Sequence, residues 1–345
     1  MSFHQLAQAI QKTERFYIFT HRDPDGDALG SAGALLELLT LLGKKAWFIL
    51  EKPLDPSYAR LLDFQKIVVI HENQESCSLL PGLERDLEEP ESSVPTLVIG
   101  VDYHDPLRLA ELKRLMDPDG PLAPSKTVSR AIIDHHKPVF LDPEIDFKII
   151  DPSTSSCGAL IHDLFVEMDV EITLQAARCL YWAVVCDTAK FSTQATSSRD
   201  LEIAAKCLKI GVEVSTLQSQ LEERFEMSQV KRALQALLKA TSYLEDKFWM
   251  IQLSFDAYQK AGTGALRWVH SVMPGLKEPV AWLVALEEFP GRWRLSARSR
   301  KDVRLGELFA EFGGGGHGAA AGVTIEGNPE AVIERLRFHL EKGLL

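Results

Sequence analysis

THRDPDGDALGS, residues 20–31, joins a short apolar run to a helical pattern. The run before it, Phe16–Thr20, has the composition of a β-strand. The residues after it, Ala28–Gly43, are apolar at helical spacing and end at a glycine suited to a C-cap. Taken alone, the stretch fits an aspartate-rich turn in which Asp27 caps the helix. It also brings three potential metal ligands within seven residues: His21, Asp25 and Asp27.

Four further strands are predicted from apolar runs that are mostly unbroken. Such runs are typical of a parallel sheet covered on both faces, and helical patterns lie between them. We therefore expect an α/β fold, with an open, mostly parallel sheet and helices on both faces. Ligands bind beyond the carboxyl ends of the strands in such sheets. The four runs are Ala46–Leu50, Lys66–Ile70, Thr96–Asp102 and Arg130–Asp134.

The pattern divides the chain into three segments. Residues 1–195 form the α/β domain, and they include a helical stretch from about 155 to 189. Helical patterns at about 200–209 and 227–243 make residues 196–243 a helical linker. Residues 244–345 form a smaller α+β domain. Its predicted elements are antiparallel strands at Phe248–Ser254, Val280–Glu288, Arg292–Ser299 and Ala319–Ile325, a helix at Leu305–Phe312 and a closing helix.

Composition and charge exclude several classes of protein. The 345 residues include 38 Lys and Arg against 49 Asp and Glu, a net charge of −11, so the chain does not coat nucleic acid through bulk charge. A hydrophobic content of 46% excludes a disordered chain. Five cysteines without a CxxC pair argue against a disulfide framework or structural zinc. Because no signal peptide or membrane span is evident, we expect a cytoplasmic location and no membrane partner.

Acidic residues and histidines follow other apolar runs. TLVIGV precedes Asp102, RAII precedes Asp134, His135 and His136, and LYWAVVC precedes Asp187. A buried carboxylate is costly unless it is paired or bound to metal. A single aspartate at a strand end is usually a cap, but four such places on one sheet edge favour a metal centre. Imidazole and carboxylate ligands suit Mn²⁺, with Fe, Co or Zn as alternatives, and a two-ion site favours phosphoester hydrolysis.

Two features of the second domain indicate a site for an anionic ligand. In RWRLSARS, residues 292–299, alternation places Arg292, Arg294, Ser296 and Arg298 on one face of a strand. The alternative is a solvated strand face. GGGG, residues 313–316, removes every β-carbon and so permits close approach of the backbone to a ligand, although a flexible loop fits as well.

These motifs together resemble the DHH phosphoesterase superfamily, named for the Asp134, His135, His136 triplet. The order HxxxDxD, then D, DHH and D, matches in sequence and spacing. GGGGHGAAAG, residues 313–322, is similar to the glycine-rich motif of the DHHA1 domain. Length and domain content are most similar to NrnA-type members, which are oligoribonucleases and 3′-phosphoadenosine-5′-phosphate (pAp) phosphatases. The resemblance implies a DHH catalytic domain followed by a DHHA1 substrate-binding domain.

The resemblance implies two divalent metal ions, Mn²⁺ being the best match. His21 and Asp25 would bind one ion, and Asp102 would bridge to the second. Asp134 would orient a ligand imidazole by accepting its other N–H. His136 would face the scissile phosphate, so the residues with catalytic roles are His136, Asp134 and Asp102. The ligands of the second ion would be Asp27, His135 and Asp187.

The resemblance also implies which residues hold the substrate. In the first domain, Arg108 and Ser156 match the family, although Ser156 equally fits a simple N-cap. Ala189 departs from the pattern, because many relatives have glycine there. The implied substrate-binding residues of the second domain are Arg298, Ser299, Gly314, Gly315, Gly316 and His317.

We therefore expect a metal-dependent phosphoesterase that hydrolyses short oligoribonucleotides to mononucleotides, with pAp as a second substrate. The nearest alternative is a phosphodiesterase for cyclic or linear dinucleotides such as cyclic di-AMP. Family II inorganic pyrophosphatases share the metal site, but GGGGH argues against their C-terminal domain. A non-catalytic nucleotide sensor is a third hypothesis. The expected partner is short RNA or a small nucleotide, and we also consider a homodimer.

Overall fold

The computed structural model describes residues 2–22, 24–54, 58, 61–62, 66–69, 94–103, 128–136, 145–221, 226–301, 303–316 and 318–344. Contacts divide the chain into two compact units, Met1–Glu222 and Glu223–Leu345. None of the helices in the described ranges is both long and apolar enough to cross a membrane.

A six-stranded sheet forms the centre of the first unit. All its neighbouring strands are parallel, in the order β3-β2-β1-β4-β5-β6. The strand order reverses direction at β1, whose neighbours are β2 and β4, and ligands bind at such a switch point. The strands are β1 (Arg15–Phe19), β2 (Lys45–Leu50), β3 (Ile67–Val69), β4 (Thr96–Val101), β5 (Val128–Asp134) and β6 (Phe147–Ile150).

The predicted parallel sheet is confirmed. Strands β1 and β4 are buried at every position, as expected for strands covered on both faces. Strand β6 was not predicted, because it has only four residues and Lys148 interrupts its apolar run. It lies at one edge of the sheet, where burial demands less of the sequence.

The described part of this unit also contains six helices. They are α1 (Phe3–Lys12), α2 (Gly26–Leu41), α3 (Cys157–Glu167), α4 (Leu174–Asp187), α5 (Ser198–Ile210) and α6 (Val214–Leu221). Helices α2 and α4 pack closely, because a β-carbon at Gly30 would lie only 2.5 Å from the carbonyl oxygen of Cys179. This close contact sets the spacing between the start of α2 and the end of α4, where Asp27 and Asp187 lie.

One helical prediction differs from the structure, and another segment spans the boundary between the units. The stretch from 155 to 189 is two helices, α3 and α4, and Asp169 has a left-handed backbone (φ 52°) between them. The predicted linker, 196–243, is divided between the two units. Helix α5 belongs to the first unit, where Ile203 and Cys207 join the main core cluster. The apolar face of α5 is buried within the first unit, and the division of the chain into three segments stays a prediction.

The second unit is built on a six-stranded mixed sheet. Its order is β11-β12-β10-β9-β8-β7. The strands are β7 (Thr241–Tyr243), β8 (Phe248–Leu253), β9 (Ala281–Phe289), β10 (Arg292–Ser299), β11 (Gly315–Gly316) and β12 (Ala320–Glu326), and the helices are α7 (Met227–Leu237), α8 (Phe255–Val272), α9 (Leu305–Ala310) and α10 (Glu330–Leu344).

The prediction of antiparallel pairing is wrong for one pair. Strands β8 and β9 are parallel, and the other pairs are antiparallel. The reason is helix α8, which was not predicted and which connects β8 to β9 as a crossover. Residues 241–243, predicted as the end of a helix, form strand β7 instead.

Each face of the second sheet is covered by its own apolar cluster. On one face Leu295 and Ala297 of β10 pack with residues of α9 and α10. On the other face Trp282 and Val284 of β9 pack with residues of α7 and α8. The alternation predicted for β10 is confirmed, since its arginines point away from the face that buries Leu295.

Candidate metal centre

The turn after β1 places two aspartates in different roles. Asp25 caps helix α2, since its Oδ1 accepts hydrogen bonds from the backbone N–H groups of Asp27 and Ala28, each at 3.1 Å. Its Oδ2 lies 4.0 Å from Nε2 of His21. The cap is therefore Asp25, and the alternative of Asp27 as the cap does not hold.

Asp27 is completely buried and receives three hydrogen bonds. Ser31, one turn along α2, donates its hydroxyl at 2.8 Å. The backbone N–H groups of Cys157 and Gly158, at the start of α3, donate at 2.6 and 3.0 Å. A helix N-terminus stabilises negative charge, so α3 holds this carboxylate in one orientation.

Asp102 lies at the centre of the site, directly after β4. It is 2% exposed and has a left-handed backbone, with φ 54°. Its carboxylate oxygens lie 3.8 Å from Nε2 of His21 and 3.7 Å from Nε2 of His135. One carboxylate thus reaches toward two histidines that come from different strands, as a bridging ligand must.

The two histidines after β5 have different supports. Asp134 Oδ1 accepts from the ring Nδ1 of His136 at 2.8 Å and from its backbone N–H at 3.0 Å. Nδ1 of His135 lies 3.3 Å from the carbonyl oxygen of Thr154. We expected Asp134 to orient a ligand imidazole, but it holds His136, and a backbone carbonyl supports His135. The backbone direction after β5 decides this, because it turns His136 back toward Asp134.

The predicted ligands form two groups that could each hold an ion. One comprises His21, Asp25 and Asp102, and the other comprises Asp27, His135 and Asp187. Within each group, one ligand atom from every residue lies within 4.8 Å of the others. A third, overlapping group contains Asp102, Asp134, His135 and His136. The structure therefore brings together all six predicted ligands.

Mutual repulsion and attraction in this cluster shift several pKa values. Burial, and then the negative charges of Asp187 and Asp102, raise the pKa of Asp27 well above its usual value. Burial would also raise the pKa of Asp102, but hydrogen bonding and charge from His136, with the charge of His135, lower it to about 2. Burial lowers the pKa of His135, but the Asp187 and Asp27 carboxylates raise it to about 9. The site thus concentrates negative charge that a cation would offset.

The donor set fits a divalent metal ion. Nε2 of His135 lies 3.1 Å from Oδ2 of Asp187, and Oδ1 of Asp102 lies 3.3 Å from Nδ1 of His136. Both atoms are buried, and neither contact has the angles of a well-directed hydrogen bond among the described residues. Such atoms are costly to bury unless a further partner satisfies them. Imidazole nitrogens and carboxylate oxygens together suit Mn²⁺, Fe, Co or Zn. The residues present therefore fit a centre for divalent metal.

The predicted substrate residues are placed unevenly. Arg108 and His317 lie outside the described residues. Ser156 is fully buried, and its Oγ caps α3 by accepting from the N–H of Ala159 at 3.3 Å. We expected backbone N–H groups at this helix start to hold phosphate. The N–H groups of Cys157 and Gly158 donate to the carboxylate of Asp27 instead.

In the second unit, Arg298 and Ser299 are both partly engaged. Nη1 of Arg298 donates to Oγ of Ser296 at 3.2 Å and to the Ala297 carbonyl at 2.9 Å. Burial, and then the charge of Arg294, lower the pKa of Arg298. No ion pair joins Arg298 to any described residue. Ser299 donates its hydroxyl to the Val280 carbonyl at 3.2 Å.

Two of the glycines before position 317 are required by strand packing. A β-carbon at Gly314 would lie 2.4 Å from the Gly322 carbonyl oxygen, and one at Gly316 would lie 2.2 Å from that of Ala320. Gly315 has open space instead, with nothing within 4 Å of an added β-carbon. The close pairing with β12 therefore explains Gly314 and Gly316 without a ligand.

Sequence reasoning missed several supporting residues. Ser31 is four positions after Asp27 on α2, a spacing that could have shown the contact. No local signal identifies Thr154 as the partner of His135. In the second unit, Trp282 donates its indole N–H to Nδ1 of His270 at 2.9 Å. Nδ1 must then be unprotonated, so the imidazole carries its proton on Nε2.

Comparison with known proteins agrees with this geometry. A profile of the DHH family N-terminal domain matches residues 15–184, and a profile of the DHHA1 domain matches residues 263–342. The chain contains a DHH domain and a DHHA1 domain. The DHH domain carries the whole ligand cluster except Asp187, which lies three residues beyond its matched range.

Several relatives match nearly the whole of this chain. The bifunctional oligoribonuclease and PAP phosphatase NrnA of Thermus thermophilus is 26% identical, covering 98% of this chain and 94% of that protein. The cyclic-di-AMP phosphodiesterase GdpP of Geobacillus thermodenitrificans is also 26% identical, but the match covers only 50% of it. The crystal structure of an exopolyphosphatase-related protein from Bacteroides fragilis has a TM-score of 0.81 at 19% identity, covering 99% and 95% of the two chains. The resemblance inferred from the motifs is confirmed.

Proposed function

We propose that this protein is a metal-dependent phosphoesterase that hydrolyses short oligoribonucleotides to mononucleotides and also converts pAp to AMP. The observation that carries the proposal is the pair of donor groups, in which Asp102 of the first group lies 3.7 Å from His135 of the second. The similarity to an NrnA protein over 94% of its length supports this choice of substrates.

The six ligand residues would bind two metal ions. His21, Asp25 and Asp102 would hold one divalent ion, and Asp27, His135, Asp187 and Asp102 would hold the other. Two such ions lower the pKa of water and neutralise phosphoryl charge. We assign Mn²⁺ as the metal on the basis of the mixed imidazole and carboxylate donors.

His136 would stabilise the phosphate as charge develops on it. Its Nδ1 is held by Asp134, and the carboxylates of Asp102 and Asp134 raise its pKa to about 10 against the opposing effect of burial. A protonated imidazole in a fixed orientation is suited to bind an anionic oxygen through Nε2. His136 therefore acts on substrate, and Asp134 positions it.

The DHHA1 domain would bind the substrate. Arg298 is half-buried and makes no ion pair with the described residues, so an anionic ligand is a suitable partner. Ser299, the glycine run and His317 are the other proposed substrate-binding residues of this domain, and Arg108 and Ser156 are those proposed for the DHH domain. The homodimer and the cytoplasmic location stay predictions.

A phosphodiesterase acting on cyclic dinucleotides is the second candidate. It is favoured by the similarity to GdpP, and it would use the same metal ligands. Substrate preference distinguishes the two, because the chemistry at phosphorus is shared.

The test is a panel of substrates with purified full-length protein and Mn²⁺. We expect the largest kcat/KM for di- to pentaribonucleotides, activity on pAp, and weaker activity on cyclic dinucleotides, long RNA and DNA. Asp102→Asn should abolish turnover of all of them, whereas Asp169→Asn, a change at an exposed position between α3 and α4, should not. Cyclic dinucleotides as the best substrate would favour the second candidate, and turnover by Asp102→Asn at the wild-type rate would refute the two-ion site.

A further inference from the structure

A single backbone segment, residues 154–158, supports two ligands of one metal group. The carbonyl of Thr154 lies 3.3 Å from Nδ1 of His135. The N–H groups of Cys157 and Gly158 donate to the two oxygens of Asp27. All three of these contacts go to members of one metal group, that of Asp27, His135 and Asp187. Whatever fixes residues 154–158 therefore acts on one ion site more than on the other.

The start of helix α5 fixes this segment through Asp200. This aspartate is 1% exposed. Its Oδ1 accepts a short hydrogen bond from the hydroxyl of Ser155. Its Oδ2 accepts from the backbone N–H and the hydroxyl of Ser197, at 2.7 and 2.9 Å. The Asp200 carboxylate thus caps α5 and also holds Ser155, which lies between Thr154 and Ser156, the cap of α3.

Arg199, the neighbour of Asp200, makes a second connection. Its guanidinium donates to Oγ1 of Thr154 at 3.2 Å and to the carbonyl of Ala159 at 3.0 Å, and it pairs with Asp163. It therefore connects Thr154, the first residue of the segment, to Ala159, the residue that follows the segment. A planar guanidinium with several donors holds such a geometry better than a lysine would.

We infer that Asp200, with Arg199, is a positioning residue for the ion bound by Asp27, His135 and Asp187. This inference rests on the proposed metal site. Asp200 is not itself a ligand, since it belongs to none of the candidate groups found among the described residues. It sets the affinity of one ion site by holding the backbone groups that orient Asp27 and His135, and it leaves the His21 and Asp25 site unaffected.

A purely structural role makes a different prediction. If Asp200 only capped α5, its removal would lower the melting temperature and leave metal affinity unchanged. Residues that orient metal ligands typically change affinity 10–100-fold when they are replaced. Metal affinity therefore separates the two roles, whereas thermal stability does not.

The experiment is calorimetric titration of Mn²⁺ into the chelator-treated full-length chain. Asp200→Ala and the milder Ser155→Ala should each weaken one of two binding sites by about 10–100-fold and leave the other near wild type. The matched control is Ser197→Ala, which removes a capping hydroxyl but keeps the bond between Ser155 and Asp200. It should lower the melting temperature without weakening either site.

Three results would overturn the inference. They are unchanged affinities in Ser155→Ala, equal weakening of both sites, and a loss in Ser197→Ala as large as that in Ser155→Ala. Because Ser155→Ala keeps the cap of α5, it remains informative even if Asp200→Ala fails to fold. The titration needs no substrate, so inactivity on every phosphoester with these metal results intact would refute the proposed function and not this inference.

Discussion

Replacing His136 with alanine separates catalysis from metal binding. The change removes the imidazole of His136, whose Nδ1 donates a 2.8 Å hydrogen bond to Asp134 and lies 3.3 Å from Oδ1 of Asp102. If His136 stabilises charge on the phosphate, kcat should fall by about 10²–10³, the scale for one lost electrostatic donor. Metal content should remain at two ions per chain, because the six ligands are retained.

The same substitution has a calculable effect on stability. A hydrogen bond to a charged buried group contributes about 1.5–3 kcal/mol. Asp134 keeps its bond from the backbone N–H of residue 136, so the loss should stay within that range. At roughly 2–4 °C per kcal/mol for a domain of this size, the melting temperature should fall by several degrees while the protein still folds.

The assay combines steady-state kinetics on a short oligoribonucleotide with elemental analysis of dialysed protein. His162→Ala is the control, because His162 lies on α3 and belongs to none of the metal groups among the described residues. It should keep both kcat and metal content. Loss of one ion per chain in His136→Ala would place His136 among the metal ligands and refute our division of the histidine pair.

Three further predictions concern other elements. Arg298→Ala should raise KM for short RNA more than for a chromogenic phosphodiester. The difference in KM between the variant and the wild type should shrink as the salt concentration rises. Arg292→Ala, a change at an exposed position, should leave KM near wild type. Burial, and then the charge of Arg298, lower the pKa of His270 to about 3. Because the unfolded chain binds this proton near pH 6.5, the stability associated with neutral His270 is fully present above pH 6.5 and is lost as the pH falls from 6.5 toward 3. The free energy of unfolding should fall by at most about 1.4 kcal/mol per pH unit in this range. A proton NMR titration should show no His270 transition near pH 6.5, and one there would contradict the indole bond from Trp282. Ala189→Gly should raise the free energy of unfolding by about 0.5–1 kcal/mol in denaturant titrations, because Ala189 has φ 45°, and a loss of stability would show that its methyl group packs usefully.

Much of the metal centre was predictable because its ligands follow strands of one parallel sheet. Asp102 and His135 come directly after β4 and β5, whose carboxyl ends lie side by side. Apolar runs identify buried strands, and the residue after each run must then lie at the same edge. Asp187 ends a helix, and it joins the site because α4 packs closely on α2.

The supporting contacts were not predictable. Asp27 is bound by amides of Cys157 and Gly158, which are 130 and 131 positions away. Asp134 holds the second histidine rather than the first, because the backbone turns after β5. Such contacts leave no periodic pattern in the sequence, because they depend on how separate helices and strands pack.

The amino-acid sequence by itself determined the parallel sheet, the edge at which its ligands gather and the alternating arginine face of β10, because each follows from a local period. Only the tertiary structure decided that α5 belongs to the first unit and that α8 makes β8 and β9 parallel. It also decided that one turn, residues 154–158, orients Asp27 and His135 together. Burial of an apolar face and hydrogen bonding between distant segments select these arrangements, and neither is encoded within a single element.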